Sequence, residues 1–123
     1  MATILLIDDD GLFRALVAST LEKAGHYVLQ AKNGRDGLSL YHKFSPDLVL
    51  TDIFMPEMDG IELTIALLKL SPAPHIIAMS AGANVLDADS VLHVASRFGV
   101  LDTMSKPIST KGLLQKVETS LAA

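Results

Sequence analysis

The chain has 123 residues, enough for one domain with a substantial hydrophobic core and too few for two domains of ordinary size. Hydrophobic residues make up 50% and charged residues 20%, and no apolar run approaches the roughly 20 residues that cross a bilayer, so we expect a globular protein without a membrane role. The net charge of −4 and the lack of a Lys/Arg cluster argue against a nucleic-acid partner.

The first predicted element is a strand at residues 4–7, where four apolar residues precede the acidic run Asp8-Asp9-Asp10. No basic segment stands before this apolar run, so it is not typical of a signal peptide. The chain also contains no cysteine, which is consistent with a reducing compartment. We therefore expect a cytoplasmic protein in which residues 1–123 form a single domain.

Strands and helices alternate along the rest of the chain. Strands are predicted at residues 27–29, 48–52, 76–79 and 100–106, and a helix is predicted after each strand. Gly25 is placed to end the first helix, and Ser109 to cap the last. The apolar positions that mark the five helices are Leu12, Phe13, Leu16, Val17, Leu21 and Ala24, then Leu38, Tyr41 and Phe44, then Ile61, Ile65 and Leu68, then Val91, Ala95 and Phe98, and finally Leu113, Val117 and Leu121.

Five strands that alternate with five helices predict an α/β fold, in which a doubly wound parallel sheet is covered on both faces. In open sheets of this kind, ligands bind at the carboxyl ends of the strands. That edge collects Asp8, Asp9, Asp52, Ser80 and Lys106. Carboxylates gathered at one edge repel one another unless a hard cation such as Mg²⁺ takes their oxygens as ligands.

Residues 48–60, LVLTDIFMPEMDG, carry a resemblance to a known family, together with the acidic run after the first strand and Lys106-Pro107. Over its whole length the chain resembles the receiver domain of two-component response regulators. This resemblance, and not the periodicity, implies a flavodoxin-like sheet with the strand order 2-1-3-4-5.

The resemblance also implies the roles of the site residues. Asp8, Asp9, Asp52 and the main-chain carbonyl of Phe54 would bind Mg²⁺. Asp52 would accept a phosphoryl group from a phosphohistidine of a histidine kinase or histidine phosphotransfer protein. The side chains that would contact the phosphoryl group are Ser80, through its hydroxyl, and Lys106, through its ammonium.

The function implied is a signalling switch and not an enzyme, with Mg²⁺-dependent self-phosphorylation from a phosphodonor and slow autodephosphorylation as its chemistry. No output domain is expected after Leu121, so the signal would pass in trans to a downstream target protein.

Two other functions remain open. Asp8-Asp9-Asp10-Gly11 matches the DxDG signature of haloacid-dehalogenase-like phosphatases, with Asp8 as nucleophile and Asp10 as acid. That hypothesis leaves the motif around Asp52 unexplained, and Leu12 stands where those enzymes prefer Thr or Val. The second alternative is a pseudo-receiver that binds its partners without being phosphorylated.

Several residues have simpler interpretations. Asp10 is predicted to cap the first helix. The four histidines have no i, i+4 pairing, which favours surface or helix positions over metal ligation. They are His26, His42, His75 and His93.

Three features depart from the resembled family. Phe54 is large and apolar at a position where polar residues can position water, so slow hydrolysis is expected. The interval from Ser80 to Lys106 is a few residues longer than usual. Thr103 stands where an aromatic residue often couples to the switch hydroxyl. We therefore expect activation to be transmitted mainly through residues 82–98.

Overall fold

The structure, a computed structural model, describes residues 1–52, 62–63, 66–67, 69–70, 74–81, 102–106 and 108–122. Within these residues a sheet of five strands is formed by β1 (Thr3–Ile7), β2 (Tyr27–Ala31), β3 (Leu48–Asp52), β4 (His75–Ala81) and β5 (Asp102–Lys106). The helices with defined bounds are α1 (Gly11–Lys23), α2 (Gly34–Phe44) and α3 (Thr110–Ala122).

Part of the predicted third helix is also described, because residues 62–63 and 66–67 are helical. Its predicted apolar positions Ile61, Ile65 and Leu68 lie outside the described residues, and so does the predicted fourth helix with Val91, Ala95 and Phe98. Leu63 and Leu67 are both fully buried, and the i, i+4 spacing between them places them on one helix face.

The strand order is β2-β1-β3-β4-β5, and every neighbouring pair is parallel. This confirms the predicted doubly wound α/β fold and the order 2-1-3-4-5. Short apolar runs form β1 and most of β3 and β4 because helices cover both faces of the sheet, so neither face needs polar residues there.

Alternate residues of each strand contribute to two separate cores. Along β1, Ile4 and Leu6 belong to the core beneath α1 and α3, whereas Leu5 and Ile7 belong to the core beneath α2. All four side chains are fully buried. Because successive side chains of a strand point to opposite faces, both cores hold β1 in place. The position of the acidic residues that follow β1 is fixed with it.

Three predicted helix ends are confirmed: the start of α1 at Asp10, the end of α1 at Gly25 and the start of α3 at Ser109. The side chain of Asp10 accepts hydrogen bonds from the first turn of α1, and the hydroxyl of Ser109 accepts one from the N–H of Gly112 in α3. Gly25 follows α1 with a φ of +98°, in the left-handed region that glycine adopts without strain.

Only some of the apolar residues that predicted α1 are buried against the sheet. Leu12 and Leu16 are 87% and 67% exposed, while Val17, Ala18 and Leu21 are buried. Apolar residues lie on both faces of this helix, so helical periodicity does not identify the face that packs on the sheet.

His26 was predicted to be a surface or helix residue, and this prediction was wrong. It is buried immediately before β2, where its ring bonds to the N–H of Ala2 and to Glu118 of α3. Among the described residues, no helix is both long enough and apolar enough to span a bilayer.

Candidate functional site

The candidate site lies where β1 and β3 end side by side. After β1 the chain goes outward to β2 and then crosses to β3 on the other side of β1, so the strand order reverses between these two strands. Ligands bind at such switch points in open α/β sheets. Ile7 pairs with Thr51, and the next residues along the two strands are Asp8 and Asp52.

Asp8 is completely buried and held by the surrounding main chain. Its N–H donates to the carbonyl of Ala31 at 3.1 Å, which ties it to the end of β2. Its Oδ1 accepts a hydrogen bond from the N–H of Asp10 at 2.9 Å. The carboxylate is therefore fixed in orientation by its own turn.

Asp9 and Asp10 have different environments although they are adjacent in sequence. Asp10 caps α1, and its Oδ1 accepts from the N–H groups of Leu12 and Phe13 at 3.1 and 3.2 Å. This confirms the interpretation of Asp10 as a helix cap. Asp9 is exposed, and its carboxylate is a member of the cluster described next.

Asp52 is the last residue of β3 and is only 5% exposed. The hydroxyl of Thr51 donates to the main-chain carbonyl of Asp52 at 3.0 Å, which reinforces the backbone where the strand ends. The carboxylate of Asp52 therefore lies at the carboxyl end of β3.

Carboxylate oxygens of Asp8, Asp9 and Asp52 all lie within 4.8 Å of one another. Mg²⁺ binds oxygen at about 2.0–2.1 Å in octahedral geometry, so oxygens on opposite sides of an ion are about 4.2 Å apart. A small inward movement would bring these three groups onto one ion. Their hard oxygen donors also fit Mg²⁺, which prefers carboxylates and water.

The other predicted site residues are described only in part. Ser80 and Lys106 occupy β4 and β5 near the carboxyl ends of these strands, where Ser80 pairs with Ser105 and Ala81 with Lys106. The main chain thus places both at the same edge as Asp52. Their side chains, and the whole of Phe54, lie outside the described part of the structure.

Arg14 and Gln30 support the turn after β1, and neither was among the predicted site residues. Arg14 donates from Nη1 to the main-chain oxygen of Asp8 at 2.6 Å and from Nε to Oε1 of Gln30 at 3.2 Å. A signal was present, because Arg14 follows the capping residue Asp10 by four positions and so lies one helical turn above it.

A second polar cluster lies at the opposite end of the sheet. A cavity of about 510 Å³ there is lined by His26, Asp47, His75 and Glu118 among others. Nε2 of His26 lies 3.2 Å from Oε1 of Glu118, and Nδ1 of His75 lies 3.2 Å from the carbonyl of Ser120.

Among the described residues, the three-carboxylate cluster is the group whose ligand atoms are close enough to share a metal ion.

Comparison with known proteins gives one consistent family. Residues 4–118 match the family described as the response regulator receiver domain. The chain is 35% identical to protein PilH of Pseudomonas aeruginosa, over 99% of each chain. It is 31% identical to the chemotaxis protein CheY of Thermotoga maritima, over 91% of each.

A solved structure supports the same relationship. The receiver domain of NtrX from Brucella abortus superposes with a TM-score of 0.89 at 28% identity, with 98% of each chain covered. Several other relatives are longer proteins, of which this chain spans 26% to 44%.

Proposed function

Because the chain belongs to the response regulator receiver domain family, we propose that it is a phosphoacceptor switch in which Asp52 accepts a phosphoryl group from a phosphohistidine. The observation that carries this proposal is the convergence of Asp8, Asp9 and Asp52 at the switch point of the sheet. Asp52 is the member at the end of a central strand, where it is almost buried.

In the proposed reaction, an oxygen of the Asp52 carboxylate attacks the phosphorus atom in line with the bond to the imidazole nitrogen. The phosphorus–nitrogen bond breaks, its electron pair returns to the imidazole, and an aspartyl phosphate forms. Mg²⁺, when bound, neutralises charge on the phosphoryl oxygens. The carboxylate is a weak nucleophile, so alignment of the two reactants supplies most of the acceleration.

The surrounding residues have distinct roles in this proposal. Asp8 and Asp9 would hold the metal ion together with Asp52 and the main-chain carbonyl of Phe54. The hydroxyl of Ser80 donates a hydrogen bond to a phosphoryl oxygen, and the ammonium of Lys106 pairs with another. The strand register supports both assignments because it brings β4 and β5 to the edge where Asp52 lies.

The phosphodonor is proposed to be a histidine kinase or a histidine phosphotransfer protein that seats a helix on α1. Leu12 and Leu16 form an exposed apolar face one turn apart on this helix. The helix begins directly after the acidic turn, since Asp10 is its cap. A partner helix on Leu12 and Leu16 would therefore place its histidine close to Asp52.

The phosphatase alternative is disfavoured by the contacts of Asp10. An acid in that role must reach a leaving group, but the Oδ1 of Asp10 accepts two N–H groups of its own helix. We propose instead that the protein is a signalling switch in the cytoplasm. It would bind a downstream target protein in trans and would not turn over an external substrate.

Labelling with acetyl phosphate tests this function. The protein is incubated with Mg²⁺ and acetyl phosphate, and the added mass is measured on the intact chain and located by peptide mapping. We expect one phosphoryl group on Asp52, no label on Asp52→Asn, and normal labelling of the control Asp10→Asn. Label on Asp8 would instead support the phosphatase. No label on a protein that binds Mg²⁺ would support the pseudo-receiver.

A second experiment tests the docking face on α1. The double variant Leu12→Ser with Leu16→Ser should accept phosphate slowly from a phosphorylated histidine phosphotransfer domain that is active on the parent. Acetyl phosphate should label this variant at the parental rate, because a small donor does not need the helix. Equal loss with both donors would show that the substitutions damage the site itself.

A further inference from the structure

Arg14 connects three elements around the acidic turn. It lies in the second turn of α1, and its guanidinium reaches back to the main-chain oxygen of Asp8 at the end of β1. The same side chain donates from Nε to Gln30 of β2. Because guanidinium donors have a fixed planar geometry, these two bonds fix the position of the turn relative to β2.

The contact from Arg14 is one of several hydrogen bonds that hold Asp8 in place. The N–H of Asp8 is bonded to Ala31, Oδ1 to the N–H of Asp10, and the main-chain oxygen to Arg14. The N–H of Arg14 also donates to the carbonyl of Asp10 at 2.9 Å. The side chain of Arg14 therefore holds the Asp8 end of the turn that presents Asp9, and the main chain of α1 holds the Asp10 end.

We propose that Arg14 is a positioning residue for Mg²⁺ binding, acting through the main chain of Asp8 and not by touching the ion or the phosphoryl group. This inference rests on the proposed function, because it concerns the same metal site. A guanidinium bonded to a peptide oxygen keeps the turn in one conformation, so Asp8 and Asp9 reach the ion without prior reordering.

Three substitutions separate positioning by Arg14 from the effect of its charge. Arg14→Met removes the charge and both hydrogen bonds. Arg14→Lys keeps the charge, but one ammonium cannot reproduce the planar fork that reaches Asp8 and Gln30 together. Gln30→Leu leaves Arg14 with its charge and its bond to Asp8 while removing the contact to β2.

The measurements separate metal binding from the transfer step. The chain contains no tryptophan, so Mg²⁺ binding is followed by isothermal titration calorimetry. We expect Arg14→Met to raise the Kd for Mg²⁺ roughly tenfold, as is typical when a residue that supports metal ligands is lost. At saturating Mg²⁺, the rate of Asp52 labelling by acetyl phosphate should stay within about threefold of the parent.

The other variants complete the test. Arg14→Lys should recover only part of the lost affinity, and Gln30→Leu should show a smaller loss than Arg14→Met. Arg35 is exposed on α2, and Arg35→Met serves as the matched control with unchanged Mg²⁺ affinity.

Two results would overturn the inference, and they differ in what they say about the proposed function. If the parent binds Mg²⁺ and is labelled on Asp52 while Arg14→Met binds the ion equally well, positioning by Arg14 is wrong and the function stands. If the parent neither binds Mg²⁺ nor is labelled, both proposals fail together.

Discussion

Replacing Asp52 by asparagine is expected to stabilise the fold when Mg²⁺ is absent. The oxygens of Asp8, Asp9 and Asp52 lie within 4.8 Å of one another, and Asp8 and Asp52 are both buried. Two unit charges at that separation repel by about 3.5 kcal/mol for an effective dielectric constant of about 20. An asparagine amide removes this repulsion and can donate a hydrogen bond to a neighbouring carboxylate.

The net gain is smaller than the full repulsion, because Asp8 and Asp52 each have further interactions that the substitution also changes. We expect the free energy of unfolding to rise by about 1–3 kcal/mol without Mg²⁺. At an Mg²⁺ concentration one hundred times its Kd, the parent gains about 2.7 kcal/mol and the advantage of the variant disappears.

Urea unfolding followed by circular dichroism, with and without Mg²⁺, measures both quantities. Asp10→Asn is the matched control, because it removes one negative charge from the neighbouring acidic turn without changing a member of the three-carboxylate cluster, and asparagine caps a helix about as well as aspartate. If Asp10→Asn stabilised the protein as much as Asp52→Asn, net charge would explain the effect and the cluster would not. Lower stability of Asp52→Asn in both buffers would refute the repulsion argument.

Three further predictions concern the metal site, the packing beside it and the titration of a partly buried phenol. Asp9→Ala should weaken Mg²⁺ binding in calorimetry at least about tenfold. Asp10→Ala should chiefly lose about 1 kcal/mol of stability, because the helix loses its cap. Weaker Mg²⁺ binding in Asp10→Ala than in Asp9→Ala would mean that the acidic run is misassigned. A Cβ on Gly37 would lie 2.5 Å from Cδ1 of Ile7, so Gly37→Ala should lose up to about 2 kcal/mol despite its better helix propensity. That loss should shrink in a background of Ile7→Val, which removes Cδ1, and additive urea midpoints would contradict the contact. Burial raises the pKa of Tyr41, so the unfolded chain releases this proton first and stability should fall as the pH rises from about 10 through the higher folded-state pKa. Tyr41→Phe should reduce that fall in urea unfolding. An identical pH profile for the parent and Tyr41→Phe would show that Tyr41 is not responsible.

The sequence by itself determined the parts of this protein that depend on neighbouring residues. Residues 4–7 and 48–50 are short apolar runs without alternation, which is typical of strands covered on both faces. Asp10 is a cap because its side chain reaches the N–H groups of the residues two and three positions ahead. The acidic residues were expected together because parallel strands bring their carboxyl ends to one edge.

Tertiary structure decided which surfaces meet. Leu12 and Val17 are both apolar, and packing on the sheet, not helical periodicity, buries Val17 and exposes Leu12. His26 is buried because α3 brings Glu118 to it from 92 positions away in the chain. Such contacts have no local signature, since they form only after the helices have docked.

The same distinction applies within the site. Asp8 and Asp52 could be recognised from the strand ends. For the support of Asp8, the sequence showed only that Arg14 lies one helical turn beyond the cap, and it did not show which group Arg14 contacts. Arg14 reaches Asp8 from one helical turn beyond the cap, and Gln30 joins it from β2, 16 residues further along the chain. Only the packing of α1 beside β1 and β2 brings these groups within hydrogen-bonding distance, because a side chain's partner depends on the elements around it and not on its own sequence.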